Sequence, residues 1–362
     1  MSHKFGFIIH PIDPQRDVAR KYPALGKLPP RLIDFLSLFF PPVKISEITG
    51  ARSLKSGDTI SGHFVACPLT PRRMMNLPAP VVYRKIVQTG RLAQRMGADI
   101  LGLGAFTSVV GDGGVTIASQ LKIPVTTGDS YTVAVAMRAV QEAARKLRLN
   151  LNGSTLAVVG AAGAIGAVCA EMSAPLVQRL LLVGRNTPLD NVAERVRMAG
   201  NAQVEICREM NRLAEADIII TVTSDLEAII EPHHLKSGAI VCDVARPRDI
   251  SRQVARQRPD VLVIEGGMVA VPGPVDFGFD FGFPPKMAYA CMAETMALVM
   301  EGRLDSYTLG KSITRSQVET IDKIAASHGF ALGGFRSFER AVTEADITQV
   351  LLSAKPSTAP EG

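Results

Sequence analysis

The chain has 362 residues, 47% hydrophobic and 20% charged, with a formal net charge of +6. That length suits two or three domains with ordinary globular cores, and no apolar run approaches the roughly 18 residues of a membrane-crossing helix. Cys67, Cys169, Cys207, Cys242 and Cys291 show no CxxC pair and no metal-ligand spacing, so no metal is expected, and reduced thiols in a cytoplasm are. The N-terminus lacks the long apolar stretch and cleavage site of a signal peptide, which fits the same compartment.

Residues 4–10 (KFGFIIH) predict a first strand, ended by Pro11. LIDFLSLFF, set between Pro-Pro pairs at 29–30 and 41–42, predicts a short helix whose greasy face is either buried or lines a lipid pocket. Residues 81–96 have helical spacing, stopped by Gly97. DILGLGAF reads as a buried strand, residues 123–126 as a short one, TTGDSYT as a loop, and 131–147 as a helix with basic last turns. LNLNGS then places a domain boundary near 150. Residues 61–150 carry eleven Lys/Arg against four Asp/Glu, a field suited to an acidic partner. Few aromatics interleave with those cations and no nucleic-acid motif is present, so nucleic acid is not expected.

TLAVV (155–159) is a compact strand followed at once by GAAGAIG and an Ala-rich helix. Gly160, Gly163 and Gly166, with Ala162, Ala164 and Ile165 between them, match a dinucleotide site, where the backbone must lie close to a pyrophosphate at a helix N-terminus. The next strand, RLLLVGR, ends in Arg185-Asn186 where an NAD site would place an acid. Arg185 suits the 2′-phosphate of NADP instead. Later strands lie at 216–224, 239–251 and 260–267; their ends put Thr223, Ser224 and Val244 in the ligand crevice. Beyond Gly273 a Gly/Phe-rich run suits an apolar channel, and a helix is predicted from about Pro285 to Glu301. Cys291 falls near its second turn with Glu294 on roughly the same face. The dipole favours a thiolate there, and an ionised Glu294 opposes one. On these residues alone Cys291 reads more readily as a core thiol than as a reactive one.

GFIIHP, ITG, RRM, GADILGLGAFTSVV, TTGDSYT, VVGAAGAIGAVCAE, LLLVGRN, IEGGMV, YACMAET and HGF occur in that order. Together they resemble the long-chain fatty acyl-[acyl-carrier-protein] reductases from Lys4 to about Gly333. GAAGAIG, GRN and DVARPRDI are also similar to the NADP domains of glutamyl-tRNA reductase and shikimate dehydrogenase. The resemblance implies NADPH as reductant, acyl carrier protein or acyl-CoA as substrate carrier, an aldehyde-consuming partner enzyme, and Cys291 as the acyl-accepting nucleophile. Where the family reads TTGNTHT this chain has TTGDSYT, so Asp129 and Tyr131 replace an amide and an imidazole. DVARP likewise stands where the family has a DGGYP-like turn.

The expected architecture is α/β. An N-terminal α/β acyl- and carrier-binding domain (1–150) precedes a Rossmann-type NADP domain with a parallel sheet (151–270). A C-terminal helical region (271–362) carries the cysteine and a frayed tail, KPSTAPEG. The expected reaction is reduction of a fatty acyl thioester to an aldehyde through acyl-Cys291. Oxyanion donors are sought at Thr107-Ser108 and at Gly128-Asp129-Ser130, and His10 is a candidate proton donor. One rival is a shikimate-dehydrogenase-like alcohol oxidoreductase, needing a Lys/Asp pair for which only Lys85 and Lys122 offer themselves. Another is a glutamyl-tRNA reductase, with only Cys67 available in the N-terminal domain. A third is a non-catalytic NADPH-sensing protein.

Overall fold

The computed structural model describes residues 3–185 and 187–354. The tail 355–362 and Asn186 lie outside them. The chain divides into two compact units, 1–134 with 269–333, and 135–268 with 334–362. The stretch set apart in sequence as 271–362 is therefore shared, because its cysteine-bearing helix packs on the first sheet while its end packs with the second unit.

In the first unit five strands, β1 (Lys4–Ile9), β2 (Val43–Arg52), β3 (Thr59–Ala66), β4 (Ile100–Leu103) and β5 (Val125–Thr126), lie in the order β2-β3-β1-β4-β5. β1 is parallel to both β3 and β4, and β2 is antiparallel to β3. Phe5 and Ile8 of β1 and every residue of β4 are buried, as a parallel sheet covered on both faces requires. The helix Ala79–Arg95 covers the sheet through Val82, Ile86 and Ala93. The helix Ala290–Met300 packs on β1 and β4; its burial of Met296 and Leu298 contributes roughly 1.5–3 kcal/mol per side chain.

That helix begins at Ala290, about one turn later than the sequence suggests. Met287–Tyr289 is instead a short strand beside Met268–Ala270, and pairing withholds those residues from the helix. The HGF motif has a structural role in the same unit. Ser53 Oγ accepts the backbone N–H groups of Lys55 and Ser56, each at 3.1 Å, and donates to His328 Nδ1 at 2.7 Å. His328 Nε2 then donates to Glu301 at 2.6 Å, which ties two helix ends to one loop.

The second unit holds six parallel strands, β6 (Thr155–Val159), β7 (Arg179–Val183), β8 (Gln203–Cys207), β9 (Ile218–Thr221), β10 (Ile240–Asp243) and β11 (Leu262–Glu265). Their order is β11-β10-β9-β6-β7-β8, so the winding reverses between β6 and β9, where doubly wound sheets open a ligand crevice. Five of these strands are buried along their whole length or in all but the first residue.

Candidate active site

At the switch point of the second unit, β6 runs into the glycine loop and the helix Ala164–Ser173. A Cβ on Gly166 would stand 2.3 Å from the Gly160 carbonyl oxygen, so Gly166 lets helix and loop meet. A Cβ on Gly163 would find only the Gly160 oxygen, at 3.3 Å, with open space beyond. Ala162 and Gly163 are exposed and Ala164 and Ile165 half-buried. The first N–H groups of this helix, which no helix can satisfy internally, therefore border open space at Gly163, the kind of surface on which a pyrophosphate is held.

Thr223 is held at the end of β9 by Asp249, which accepts from Thr223 Oγ1 at 2.5 Å, its N–H at 2.9 Å and Thr221 Oγ1 at 2.6 Å. Ser224 is exposed and Val244, whose N–H bonds Thr221, is half-buried. Arg185 sits just beyond β7, half-exposed, in an ion pair with Asp225. Arg208 donates to the carbonyls of Gly184 and Thr187 and braces the same turn. Asn186 lies outside the described residues. Asp225 and Asp249 close the polar endings TVTSD and DVARPRD, the one signal the sequence carries for them, while Arg208 has none.

In the first unit, Cys291 is the second residue of the helix Ala290–Met300. Of the five free cysteines only Cys291 is not buried. Burial still pushes its thiol up to about 12, helped by the negative field of Asp129 and Glu294, while the backbone N–H of Met292 favours the thiolate. Gly128 lies against it, and Asp129 opens the next helix, Asp129–Lys146. The half-buried Asp129 carboxyl is raised to about 7 by burial and by Glu294.

Glu294 is fully buried and faces several donors. It accepts from Thr126 Oγ1 at 2.5 Å, Thr308 Oγ1 at 2.9 Å and the Tyr131 N–H at 2.9 Å. Burial raises its carboxyl, and those hydrogen bonds oppose the rise. Ser130, also buried, lies 2.8 Å from Thr308 Oγ1 and extends this chain of hydroxyls. Ser130 and Glu294 thus form one buried network that fixes the turn Thr126–Tyr131 beneath the thiol, a placement no periodicity in the sequence signals.

His10 is brought elsewhere. Its Nε2 accepts the Phe106 N–H at 3.1 Å, its Nδ1 faces the Pro11 carbonyl at 3.4 Å, and burial lowers its pKa to about 4. The ring is neutral with both nitrogens engaged, so it braces the turn at Phe106 instead of offering a proton. Thr107 Oγ1 and Ser108 Oγ donate to the carbonyls of Gly104 and Ala105, each at 2.7 Å, which removes those hydroxyls as oxyanion donors. Lys85 donates to the carbonyls of Leu38 and Phe40 and Lys122 is exposed; neither forms the Lys/Asp pair of an alcohol oxidoreductase. Among the described residues no helix is long and apolar enough to cross a membrane.

Residues 141–265 match the family Shikimate / quinate 5-dehydrogenase. The chain is 30% identical over 345 residues to the long-chain acyl-[acyl-carrier-protein] reductase of Synechococcus elongatus, covering 90% of this chain and 98% of that one. It is 27% identical over 305 residues to the aminotransferase PigE of Serratia sp., covering 82% of this chain but only 35% of that longer relative. The solved L-tryptophan dehydrogenase of Nostoc punctiforme aligns over 97% of this chain and 87% of its own, at 12% identity and a TM-score of 0.40.

Proposed function

Since the chain belongs to the long-chain acyl-[acyl-carrier-protein] reductase family and is a nicotinamide-dependent oxidoreductase, we propose that it reduces a fatty acyl thioester to a fatty aldehyde with NADPH, through a covalent acyl-Cys291. The observation that carries this reading is the placement of Cys291: the one cysteine that is not buried, in the first turn of a helix, beside the carboxyl of Asp129. The open face of Gly163 and the half-exposed Arg185 fit a dinucleotide with a 2′-phosphate.

A thiol near 12 is almost wholly protonated at neutral pH, so it needs a base when substrate arrives. Asp129, near 7, fills that role: it accepts the Cys291 proton, and its own neutralisation lifts part of the field that opposed the thiolate. The sulfur attacks the acyl carbon, the new C–S bond forms as the carrier C–S bond breaks, and the carrier thiol leaves with the proton held on Asp129. NADPH, when bound, supplies the hydride that reduces the acyl carbon. Cys291 sulfur then leaves as the aldehyde carbonyl forms, and regains its proton through Asp129. Glu294 and Ser130 position this turn and touch no reacting atom.

Intact mass spectrometry tests the reading directly. The protein is mixed with a long-chain acyl thioester, on carrier protein or on coenzyme A, without NADPH. A gain of one acyl group mapped to Cys291 is expected; acylation at another residue, or none, defeats the covalent mechanism.

A further inference from the structure

We propose that the segment 27–40 docks this protein on an anionic phospholipid surface. The helix Pro30–Leu36 and the turn after it carry Leu32, Phe35, Phe39 and Phe40 on the outside. These side chains are 40%, 51%, 70% and 42% exposed, and the rings of Phe35 and Phe39 touch, with centroids 5.4 Å apart. Only Ile33 of the helix is buried, and Leu38 anchors the turn against the core of the first unit. The greasy face anticipated from sequence is thus neither buried nor the lining of a pocket. A lone exposed phenylalanine is ordinary; three within six residues form a patch that water disfavours.

The charge around the patch selects its occupant. Lys27 and Arg31 are exposed and form no ion pair among the described residues. Lys85 is fixed at the patch edge by the carbonyls of Leu38 and Phe40, at 3.1 and 3.0 Å. Asp34 is taken by Arg73 and Thr70. From 14 to 44 the chain carries six Lys/Arg against two Asp. Rings that enter the headgroup boundary, flanked by cations that meet lipid phosphates, are the chemistry of interfacial anchoring. An acidic protein surface would satisfy the cations but offer the protruding rings nothing apolar.

The full chain is sedimented with vesicles of phosphatidylglycerol and phosphatidylcholine, and with phosphatidylcholine alone. Recovery with the anionic vesicles is expected, falling about tenfold without phosphatidylglycerol or at high salt. Phe39→Ser with Phe40→Ser, and separately Lys27→Glu with Arg31→Glu, should each lower partitioning by about tenfold at an unchanged unfolding temperature. No recovery with anionic vesicles, or recovery untouched by both variants, overturns the proposal. So does a protein that ignores vesicles but forms a dimer, or binds acyl carrier protein, through Phe39 and Phe40.

Discussion

Gly128 and Cys291 meet backbone to backbone. A Cβ on Gly128 would stand 2.3 Å from the Cys291 Cα and 2.5 Å from its Cβ, and Gly128 holds φ +78. Position and conformation both exclude a side chain there. Gly128→Ala should displace the first turn of the cysteine helix and slow acylation more than about tenfold, with a stability loss of roughly 1–3 kcal/mol. Rapid-quench mass spectrometry and thermal unfolding check it; an unimpaired acylation rate would mean that the thiol tolerates displacement.

With Asp129 as base, the proposed acylation should carry a pH signature. A base must be ionised to take a proton, so the rate should rise with pH through about 7 and level off above it. Asp129→Asn should slow acylation by about 10²–10⁴ and flatten that limb. If the carboxylate merely repelled the thiolate, the same change would speed acylation.

The second and third glycines of the GAAGAIG loop should separate binding from folding. Gly163→Val fills the open face and is expected to abolish NADPH binding at an unchanged unfolding temperature. Gly166→Ala instead drives a methyl against the Gly160 carbonyl and should cost roughly 1–3 kcal/mol of stability. Calorimetry on both variants, with and without NADPH, distinguishes the two outcomes.

Arg185 should set the choice of cofactor. Arg185→Asp is expected to weaken NADPH by about 1–3 kcal/mol and to affect NADH less. Asp225→Asn should strengthen NADPH, because Asp225 now competes for the same guanidinium. Equal affinity of the unaltered protein for both cofactors would refute the assignment.

Arg72 and Arg73 differ although adjacent. Arg73 is bound to Asp34 at 2.8 Å, while Arg72 is exposed. Arg72→Glu should raise KM for carrier-bound substrate, and raise it less for the same acyl group on coenzyme A. Salt beyond about 0.1 M should shrink the difference. Equal losses with both carriers would leave this basic stretch without a docking role.

The second unit was the legible part of the fold. TLAVV and RLLLV are short apolar runs next to glycine turns, and their local pattern alone fixes strand type and order of appearance. β2 escaped notice because it pairs antiparallel at the sheet edge, mixes Lys, Ser and Gly with its apolar positions, and shifts register twice. Cys291 was singled out through its motif, YACMAET. Its surroundings were not: Thr126, Glu294 and Thr308 are joined only by tertiary packing, with Thr126 and Glu294 separated by 168 positions. The structural role of His10 was equally hidden, since the Phe106 N–H that occupies its ring lies 96 residues away.

The interleaving of the two units imposes an order on synthesis. As the chain leaves the ribosome, β1 to β5 emerge first, but the helix that covers them and carries Cys291 follows only after all six strands of the second unit. A nascent chain released before residue 290 therefore has the glycine loop but lacks the helix Ala290–Met300, which leaves the surfaces of β1 and β4 that this helix covers exposed. Premature termination in that window yields a species prone to aggregation.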